Sequence, residues 1–302
     1  MEQKFLIDVP IERGIYLSII NMANSIHWFP GHMNKALHEV EEKIKIIDVI
    51  IEILDARAPN SSINEQLEKA TQNKKKLYLI SKADLADEKQ TALWKQHFKN
   101  QDSEVLVVNL SDKNSYNKIS QAVINLGKVK WQKEIAKGMK PQPIRTMIIG
   151  IPNVGKSTLI NLLAKRKAAG VQNKPGYTRG EQWIRVNQDM LLLDTPGILP
   201  MNYENQEKAA NLALIGSIRE DILPNSDLVD YLLKILNKHY PDALSGRFDI
   251  PSIEERLVVC KAIAEKRGLL KNNGELDLLK AESLLLKEFK DGLLGRITLE
   301  WL

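Results

Sequence analysis

The sequence predicts an α/β protein, in which a mostly parallel β-sheet is covered by helices on both faces and is followed by an all-helical domain. Three observations predict this fold. Apolar runs of strand length alternate with helical segments over the first two thirds of the 302 residues. A glycine-rich loop pattern joins one of these runs to a helix at residues 150–157. Beyond Pro200, only helical spacing of Leu, Ile and Val remains.

The elements follow from periodicity, in chain order. A helix is predicted at residues 34–46, and a continuous apolar strand follows at Ile46–Leu54. Further strands are predicted at residues 76–80, 104–108, 145–150, 182–186 and 190–194. Helices separate most of them, at residues 62–72, 87–99, 115–126 and 157–165. Because such an alternation gives parallel strands, binding loops are expected at the carboxyl ends of the strands.

The last third of the chain predicts four helices and a short extended ending. Gly246, Pro251, Gly268 and Gly274 mark the caps and turns between the helices. The predicted helices are Gln206–Ile218, Ser226–Lys238, Ser252–Arg267 and Asp277–Leu286, and the extended ending is Gly292–Leu299. The isolated His239 is expected to have a structural role.

The segment Gly150-Ile-Pro-Asn-Val-Gly-Lys-Ser157 predicts a nucleotide-phosphate site, because it lies between an apolar strand and a helix. Glycines let successive backbone N–H groups point into one concavity, and the helix N-terminus adds positive potential. Lys156 reaches the outer phosphates, and Ser157 offers its hydroxyl to Mg²⁺. The predicted phosphate contacts of this loop are Pro152, Asn153, Val154, Gly155, Lys156, Ser157 and Thr158.

Two segments downstream of this loop complete a phosphate and magnesium site. Asp194-Thr-Pro-Gly197 ends an apolar run, so Asp194 is positioned to hold Mg²⁺ through water. Gly197 has no side chain in the way, so its N–H can approach the terminal phosphate. Thr178 lies in the intervening segment and is predicted to close over the metal and the phosphates. The predicted magnesium shell is therefore Ser157, Thr178 and Asp194.

A base-reading element lies upstream of the phosphate loop. Ser81-Lys-Ala-Asp84 follows an apolar strand, and it contains the pattern Lys82-x-Asp84. The Asp84 carboxylate can accept from both the ring N–H and the exocyclic amine of guanine, which adenine cannot supply together. The pattern therefore favours guanine over adenine.

This order of motifs resembles a circularly permuted P-loop G domain. Two further segments, His27-Trp-Phe-Pro-Gly-His32-Met-Asn-Lys35 and Asp55-Ala-Arg-Ala-Pro-Asn-Ser61, make the chain similar to the ribosome biogenesis GTPase A family. The resemblance covers residues 26–302 and implies three parts: an N-terminal extension (1–25), a GTP-binding domain (26–200) and a helical RNA- and ribosome-binding domain (206–302). It adds Asn109 and Leu110 to the guanine contacts Ser81, Lys82 and Asp84. In this family the base motif usually starts with Asn, and Ser81 stands in that place.

The resemblance also implies an activity and a partner. The chain is expected to hydrolyse GTP to GDP and phosphate, slowly alone and faster on ribosomal particles. It is expected to bind the large ribosomal subunit precursor in a late step of assembly, with the GTP state gating binding and release. It is further expected to be cytoplasmic, to be monomeric off the ribosome and to have no membrane partner.

The chain lacks the glutamine that usually takes part in GTP hydrolysis. In Ras-like enzymes a Gln after Asp-x-x-Gly orients the attacking water, but here that position is Ile198. The resemblance instead points to His32 as the water-positioning residue, with Lys156 and Gly197 as the groups at the reacting phosphate. Asn153 together with Ile198 resembles the potassium-stimulated GTPases, in which the Asn carbonyl holds K⁺ against the phosphates.

Composition and charge agree with this interpretation without deciding it. The single Cys260 excludes an intramolecular disulfide and a cysteine-based zinc cluster, which favours a reducing cytoplasm. The net charge of +5 divides into +7 for residues 1–215 and −2 for residues 216–302. The densest basic run, Lys128–Arg145, suits either RNA or a solvated helix face. No apolar stretch approaches the roughly 20 residues that span a bilayer.

Two other classes of function stay open from the residues. One is a GTP-dependent RNA-binding scaffold with negligible turnover, suggested by Ile198 and by the lone His32. The other is a P-loop ATPase or nucleotide kinase, which Ser81–Asp84 disfavours.

Overall fold

The computed structural model describes residues 40–112, 114–164, 183–193, 206–218, 223–251 and 255–302. The predicted extension at residues 1–25 lies outside these ranges. So do four predicted site residues, which are His32, Thr178, Asp194 and Gly197.

Six strands form one sheet. They are β1 (Val49–Asp55), β2 (Lys75–Ser81), β3 (Ser103–Val107), β4 (Ile144–Ile149), β5 (Trp183–Arg185) and β6 (Met190–Leu193). The order across the sheet is β3-β2-β1-β4-β6-β5. All neighbours are parallel except β5, which runs antiparallel to β6. The prediction of a mostly parallel sheet is confirmed.

Besides the helical residues 40–44, nine helices lie in the described ranges. Four accompany the sheet: α1 (Glu65–Thr71), α2 (Glu88–His97), α3 (Ser115–Ala136) and α4 (Lys156–Ala164). Five follow it: α5 (Gln206–Leu214), α6 (Asn225–His239), α7 (Ala243–Phe248), α8 (Arg256–Arg267) and α9 (Leu278–Lys290). Side chains cap two of the helices that cover the sheet, since Asn64 accepts from Gln66 N and Asp87 accepts from Gln90 N.

Helix α3 differs from the prediction, because it continues to Ala136 and is 22 residues long. Gly127 does not end it. A Cβ at Gly127 would lie 2.3 Å from Ile144 Cδ1, so this glycine lets the helix pack closely against β4. The residues of α3 that follow Gly127 include three lysines, and all of them are half-buried or exposed. The short helix α7 is a second element that the sequence did not predict.

The hydrophobic core lies on both faces of the sheet. Ile51 and Ile53 of β1 belong to one continuous cluster with Leu159 of α4 and with Leu232 and Leu285 of the C-terminal helices. The opposite face carries two smaller clusters, one of which stacks Tyr78 on Phe98 with ring centroids 5.1 Å apart. The described residues from 206 onward form helices and one isolated bridge between Leu270 and Leu276. Because the main core runs through both parts, the domain boundary near residue 200 stays a prediction.

Strand order positions the candidate site. From β1 the chain proceeds outward through β2 and β3, and from β4 it proceeds in the other direction, first to the edge strand β5 and then back to β6. The loops after β1 and β4 therefore leave the sheet on opposite sides of one crevice, which is where open α/β sheets bind ligands. Among the described helices, none has an apolar stretch long enough to cross a membrane.

Candidate functional site

The phosphate loop has the backbone that anion binding requires. Gly150 (φ 151°), Asn153 (φ 61°) and Gly155 (φ 107°) all have positive φ, and such alternation turns the backbone into a concave run. A Cβ at Gly150 would lie 2.8 Å from the Ile53 carbonyl oxygen, and one at Gly155 would lie 2.9 Å from Leu110 Cδ1. Gly150 is therefore needed by close packing against backbone as well as by its φ, and Gly155 is needed by its φ.

Lys156 and Ser157 begin α4 directly after this concavity. Lys156 is buried, and its Nζ donates to the carbonyl oxygens of Gly150 and Ile151 at 2.9 Å each. The side chains of Ser157 and Thr158 are exposed at the first turn of α4. A hydroxyl oxygen at that place suits Mg²⁺, which prefers oxygen ligands. The other predicted ligands, Thr178 and Asp194, lie outside the described residues.

The predicted base-reading motif forms a turn between β2 and α2, which we call the base turn (residues 81–87). Its first residue, Ser81, is fully buried, and its Oγ lies 3.0 Å from the Leu54 carbonyl oxygen and 2.7 Å from that of Val154. The shorter contact joins the base turn to the phosphate loop. The hydroxyl of Ser81 thus supplies a link to that loop at the position where the family usually has Asn. Asp84 is exposed on the turn.

Lys82 and Arg57 share one buried carboxylate, that of Asp55 at the end of β1. Lys82 Nζ lies 2.9 Å from Asp55 Oδ2, while Arg57 contacts both oxygens, through Nε at 3.0 Å and Nη2 at 2.8 Å. Burial alone would raise the pKa of Asp55. The attraction and hydrogen bonds of Arg57, followed by those of Lys82, outweigh burial and hold that pKa below its usual range. Asp55 is therefore ionised at neutral pH and fixes the start of the base turn.

The loop after β3 lies against the phosphate loop. Leu110 packs close to Gly155, and Val108 N donates to the Ile80 carbonyl oxygen at 2.9 Å. The neighbouring Asn109 accepts from Ser111 N through its side chain at 2.9 Å. The structure therefore brings the predicted guanine residues of two loops to the same edge of the sheet as the phosphate loop. Their binding roles stay predictions.

The phosphate loop also contacts the end of α5. Asn153 Nδ2 donates to the Gly216 carbonyl oxygen at 2.7 Å, and Ser217 Oγ donates to the Pro152 carbonyl oxygen at 2.9 Å. The residue predicted to hold K⁺ is thus also a contact to the C-terminal helices.

The segment Asp55–Ser61 makes contacts that the sequence did not predict. Arg57 is 2% exposed, and besides Asp55 it reaches the Lys290 carbonyl oxygen at 3.1 Å and stacks over the Phe289 ring of α9 at 5.8 Å. Glu300, near the C-terminus, accepts from Ser61 N at 2.9 Å and from Asn60 N at 2.7 Å. Burial raises the pKa of Glu300, and these hydrogen bonds oppose that rise. One sequence feature could have indicated these contacts: an acidic residue, Asp55, ends a buried strand, and Arg57 follows two residues later.

Comparison with known proteins agrees with this site. The sequence profile of a family described as "50S ribosome-binding GTPase" matches residues 145–253. The protein named ribosome biogenesis GTPase A from Bacillus cereus is 43% identical over 276 residues, which is 91% of this chain and 93% of that protein. Its namesake from Thermotoga maritima is 30% identical over 275 residues, covering 90% of this chain and 93% of that protein.

Solved structures agree as well. The structure described as GNP-bound YlqF from T. maritima has a TM-score of 0.61 at 26% identity and covers 88% of this chain and 98% of that one. The GDP-bound YlqF structure has a TM-score of 0.59. These matches support the permuted G-domain fold and exclude the ATPase and nucleotide kinase alternatives. The chain therefore belongs to the ribosome biogenesis GTPase A family, and it is a GTPase.

Proposed function

We propose that this GTPase binds the large ribosomal subunit precursor in a late step of its assembly, and that its GTP state gates binding and release. The observation that carries the gating is the pair of hydrogen bonds between the phosphate loop and the end of α5. Asn153 and Ser217 make these bonds to Gly216 and Pro152, at 2.7 Å and 2.9 Å. A conformational change of the phosphate loop would therefore act directly on the C-terminal helices through these hydrogen bonds.

Chain connectivity supplies a second route. The segment with Asp194 and Gly197 leads directly into α5, which begins at Gln206. In G domains, order in this segment depends on the terminal phosphate and Mg²⁺. Hydrolysis would therefore alter both the segment and the bonds that α5 makes to the phosphate loop. The helical domain at residues 206–302 would then change its orientation toward the ribosomal particle.

Helix α3 supports an RNA partner. Its buried residues end at Gly127, and its last nine residues are half-buried or exposed. Lys130 is ion-paired with Asp48 at 2.8 Å, but Lys128, Lys133 and Lys137 have exposed side chains. Lys140 and Arg145 continue this exposed cationic stretch. Each cation that neutralises an RNA phosphate releases counterions, so such a surface favours RNA at physiological salt. The description of the matching family as a 50S ribosome-binding GTPase favours the large subunit.

Mg²⁺ and K⁺ are the proposed cofactors. Mg²⁺ would neutralise the phosphates, with Ser157, Thr178 and Asp194 as its ligands from this chain. The hydrogen bond from Asn153 Nδ2 to Gly216 fixes the orientation of that amide, and the amide oxygen is the atom that K⁺ requires. A cation there would offset the charge that develops on the phosphates.

We assign the positioning of the attacking water to His32, and contacts with the reacting phosphate to Lys156 and Gly197. The alternative hypothesis is that the chain is a GTP-gated scaffold and that the ribosome supplies the catalytic group. Turnover of His32→Ala in the presence of large subunits tests this choice. A loss of about 10- to 1000-fold with unchanged GTP affinity supports His32. Turnover equal to that of the wild type would return His32 to a structural role.

The proposal includes a cytoplasmic location and a monomer off the ribosome. Binding is tested by sedimentation of the chain with large-subunit precursors in a GTP analogue and in GDP. Co-sedimentation with the analogue and release in GDP are expected. Equal binding in both nucleotides would contradict gating.

A further inference from the structure

The C-terminal strap, residues 295–300, lies along the base turn. Arg296 contacts the backbone on both sides of Asp84. Its Nη2 donates to the Ala83 carbonyl oxygen at 2.9 Å, and its Nε donates to the Ala86 carbonyl oxygen at 2.9 Å. The planar guanidinium therefore bridges the backbone on the two sides of Asp84.

Two further strap residues bind the same turn. Ile297 N donates to the Leu85 carbonyl oxygen at 3.0 Å, and Asp87 N donates to Thr298 Oγ1 at 3.1 Å. The strap thus contacts the turn from Ala83 to Asp87 through backbone groups, and it leaves Asp84 exposed.

The strap itself is held firmly. Ile297, Thr298 and Leu299 are buried, with exposed fractions of 2%, 0% and 3%. Thr298 N donates to the Tyr240 hydroxyl at 3.0 Å, and Leu299 N donates to the Arg57 carbonyl oxygen at 2.7 Å. A firmly held strap can define where the base turn lies.

The base turn needs such support. Lys82 has φ of 55°, which costs a non-glycine residue conformational energy, and Leu85 N donates to the Lys82 carbonyl oxygen at 2.9 Å within the turn. The carboxylate of a base reader must meet two donors on the ring edge at once. A displacement of about 1 Å is enough to lose much of such an interaction.

We propose that Arg296 is a positioning residue for base recognition, which holds the base turn so that Asp84 meets the guanine edge. This inference rests on the proposed reading of guanine by Asp84. It makes the C-terminal strap a determinant of nucleotide selectivity, although the strap is more than 200 residues from the motif in sequence. A partner that moved the strap would change base affinity.

The test compares GDP with IDP, which lacks the exocyclic amine. Kd values are measured with Mg²⁺ by displacement of a fluorescent GDP derivative from the full chain. The ratio of Kd for IDP to Kd for GDP does not depend on the folded fraction, so a general loss of stability leaves it unchanged. We expect a ratio of about 10 or more for the wild type, since one hydrogen bond to a charged group is lost.

Arg296→Ala should lower this ratio by about threefold to tenfold. Its side chain is 49% exposed, so its removal should hardly change the melting temperature. Arg296→Lys keeps the charge but not the two-pronged geometry, and it should restore the ratio only partly. Arg247→Ala is the matched control, because Arg247 pairs with Glu288 away from the base turn, and it should keep the wild-type ratio.

Thr298→Val is a second test variant, because it removes the hydroxyl that accepts from Asp87 N, and it should also lower the ratio. An unchanged ratio in Arg296→Ala would overturn the inference if Asp84→Asn abolishes the preference for GDP. A wild-type ratio near one, unaffected by Asp84→Asn, would instead show that Asp84 does not read the base, and the proposed guanine site would be wrong.

Discussion

The side-chain amide of Asn153 and the carbonyl oxygen of Gly216 are 2.7 Å apart, so a hydrogen bond joins the phosphate loop to the end of α5. Ser217 adds a parallel bond to the Pro152 carbonyl oxygen. Both bonds cross between the nucleotide site and the C-terminal helices, where the proposed gating must act.

Ser217→Ala removes one of these bonds without changing a predicted nucleotide contact. GTP affinity should stay within about twofold, while the ratio of large-subunit binding in a GTP analogue to that in GDP should fall about threefold to tenfold, as expected for one hydrogen bond. Co-sedimentation measures the ratio. Ser245→Ala is the control, because its hydroxyl donates to Asp242 within the region of α7. Equal ratios in wild type and Ser217→Ala would exclude this route.

Asn153 predicts a dependence on the monovalent cation. Wild-type turnover should be faster in K⁺ than in Na⁺ at matched ionic strength, because an ion held by the amide oxygen offsets charge at the phosphates. In Asn153→Ala the two rates should become equal. The assignment of K⁺ to Asn153 fails if the wild type hydrolyses GTP at the same rate in both salts.

Asp84→Asn should change the base preference from guanine to xanthine, because the amide of Asn donates a hydrogen bond where the carboxylate of Asp accepts one. Affinities for GTP and XTP, measured by displacement of a fluorescent nucleotide, report the exchange. Lys156→Ala is the contrasting variant and should weaken the binding of both nucleotides, since Lys156 is proposed to contact the phosphates that they share. Retained GTP affinity with no gain for XTP would show that residues 81–84 do not read the base.

The buried Glu52 predicts a pH dependence of stability. Burial, with a smaller contribution from Glu68, raises the pKa of Glu52 to about 8 against the opposing effect of Lys76, whose Nζ is 3.7 Å away. The native state therefore keeps this proton between the unfolded pKa of 4.5 and about pH 8, and stability falls as pH rises through that window.

Glu52→Gln has no proton to lose at this position. Relative to wild type, the free energy of unfolding of the variant should rise by about 2 to 4 kcal/mol between pH 5 and pH 8.5. Urea unfolding at several pH values measures it. Glu265→Gln, an exposed position on α8, should leave the pH dependence unchanged. Parallel curves for wild type and Glu52→Gln would contradict the raised pKa.

Local patterns predicted the sheet and the position of the phosphate loop, because apolar strands and a loop with two required glycines are features of adjacent residues. The extension of α3 past Gly127 was not predictable, since the reason for that glycine is Ile144 on a separate strand. Contacts between distant parts of the chain were also missed. The hydrogen bond between Ser61 and Glu300 joins residues 239 apart in sequence, and only the fold brings them together.

GTP turnover with and without purified large ribosomal subunits, in K⁺ and Mg²⁺, tests the central claim most directly. The proposed coupling predicts slow hydrolysis by the chain alone and an increase of about tenfold or more on the particles, as positioned catalytic groups typically supply. An equal rate with and without large subunits would contradict a GTPase cycle coupled to large-subunit assembly.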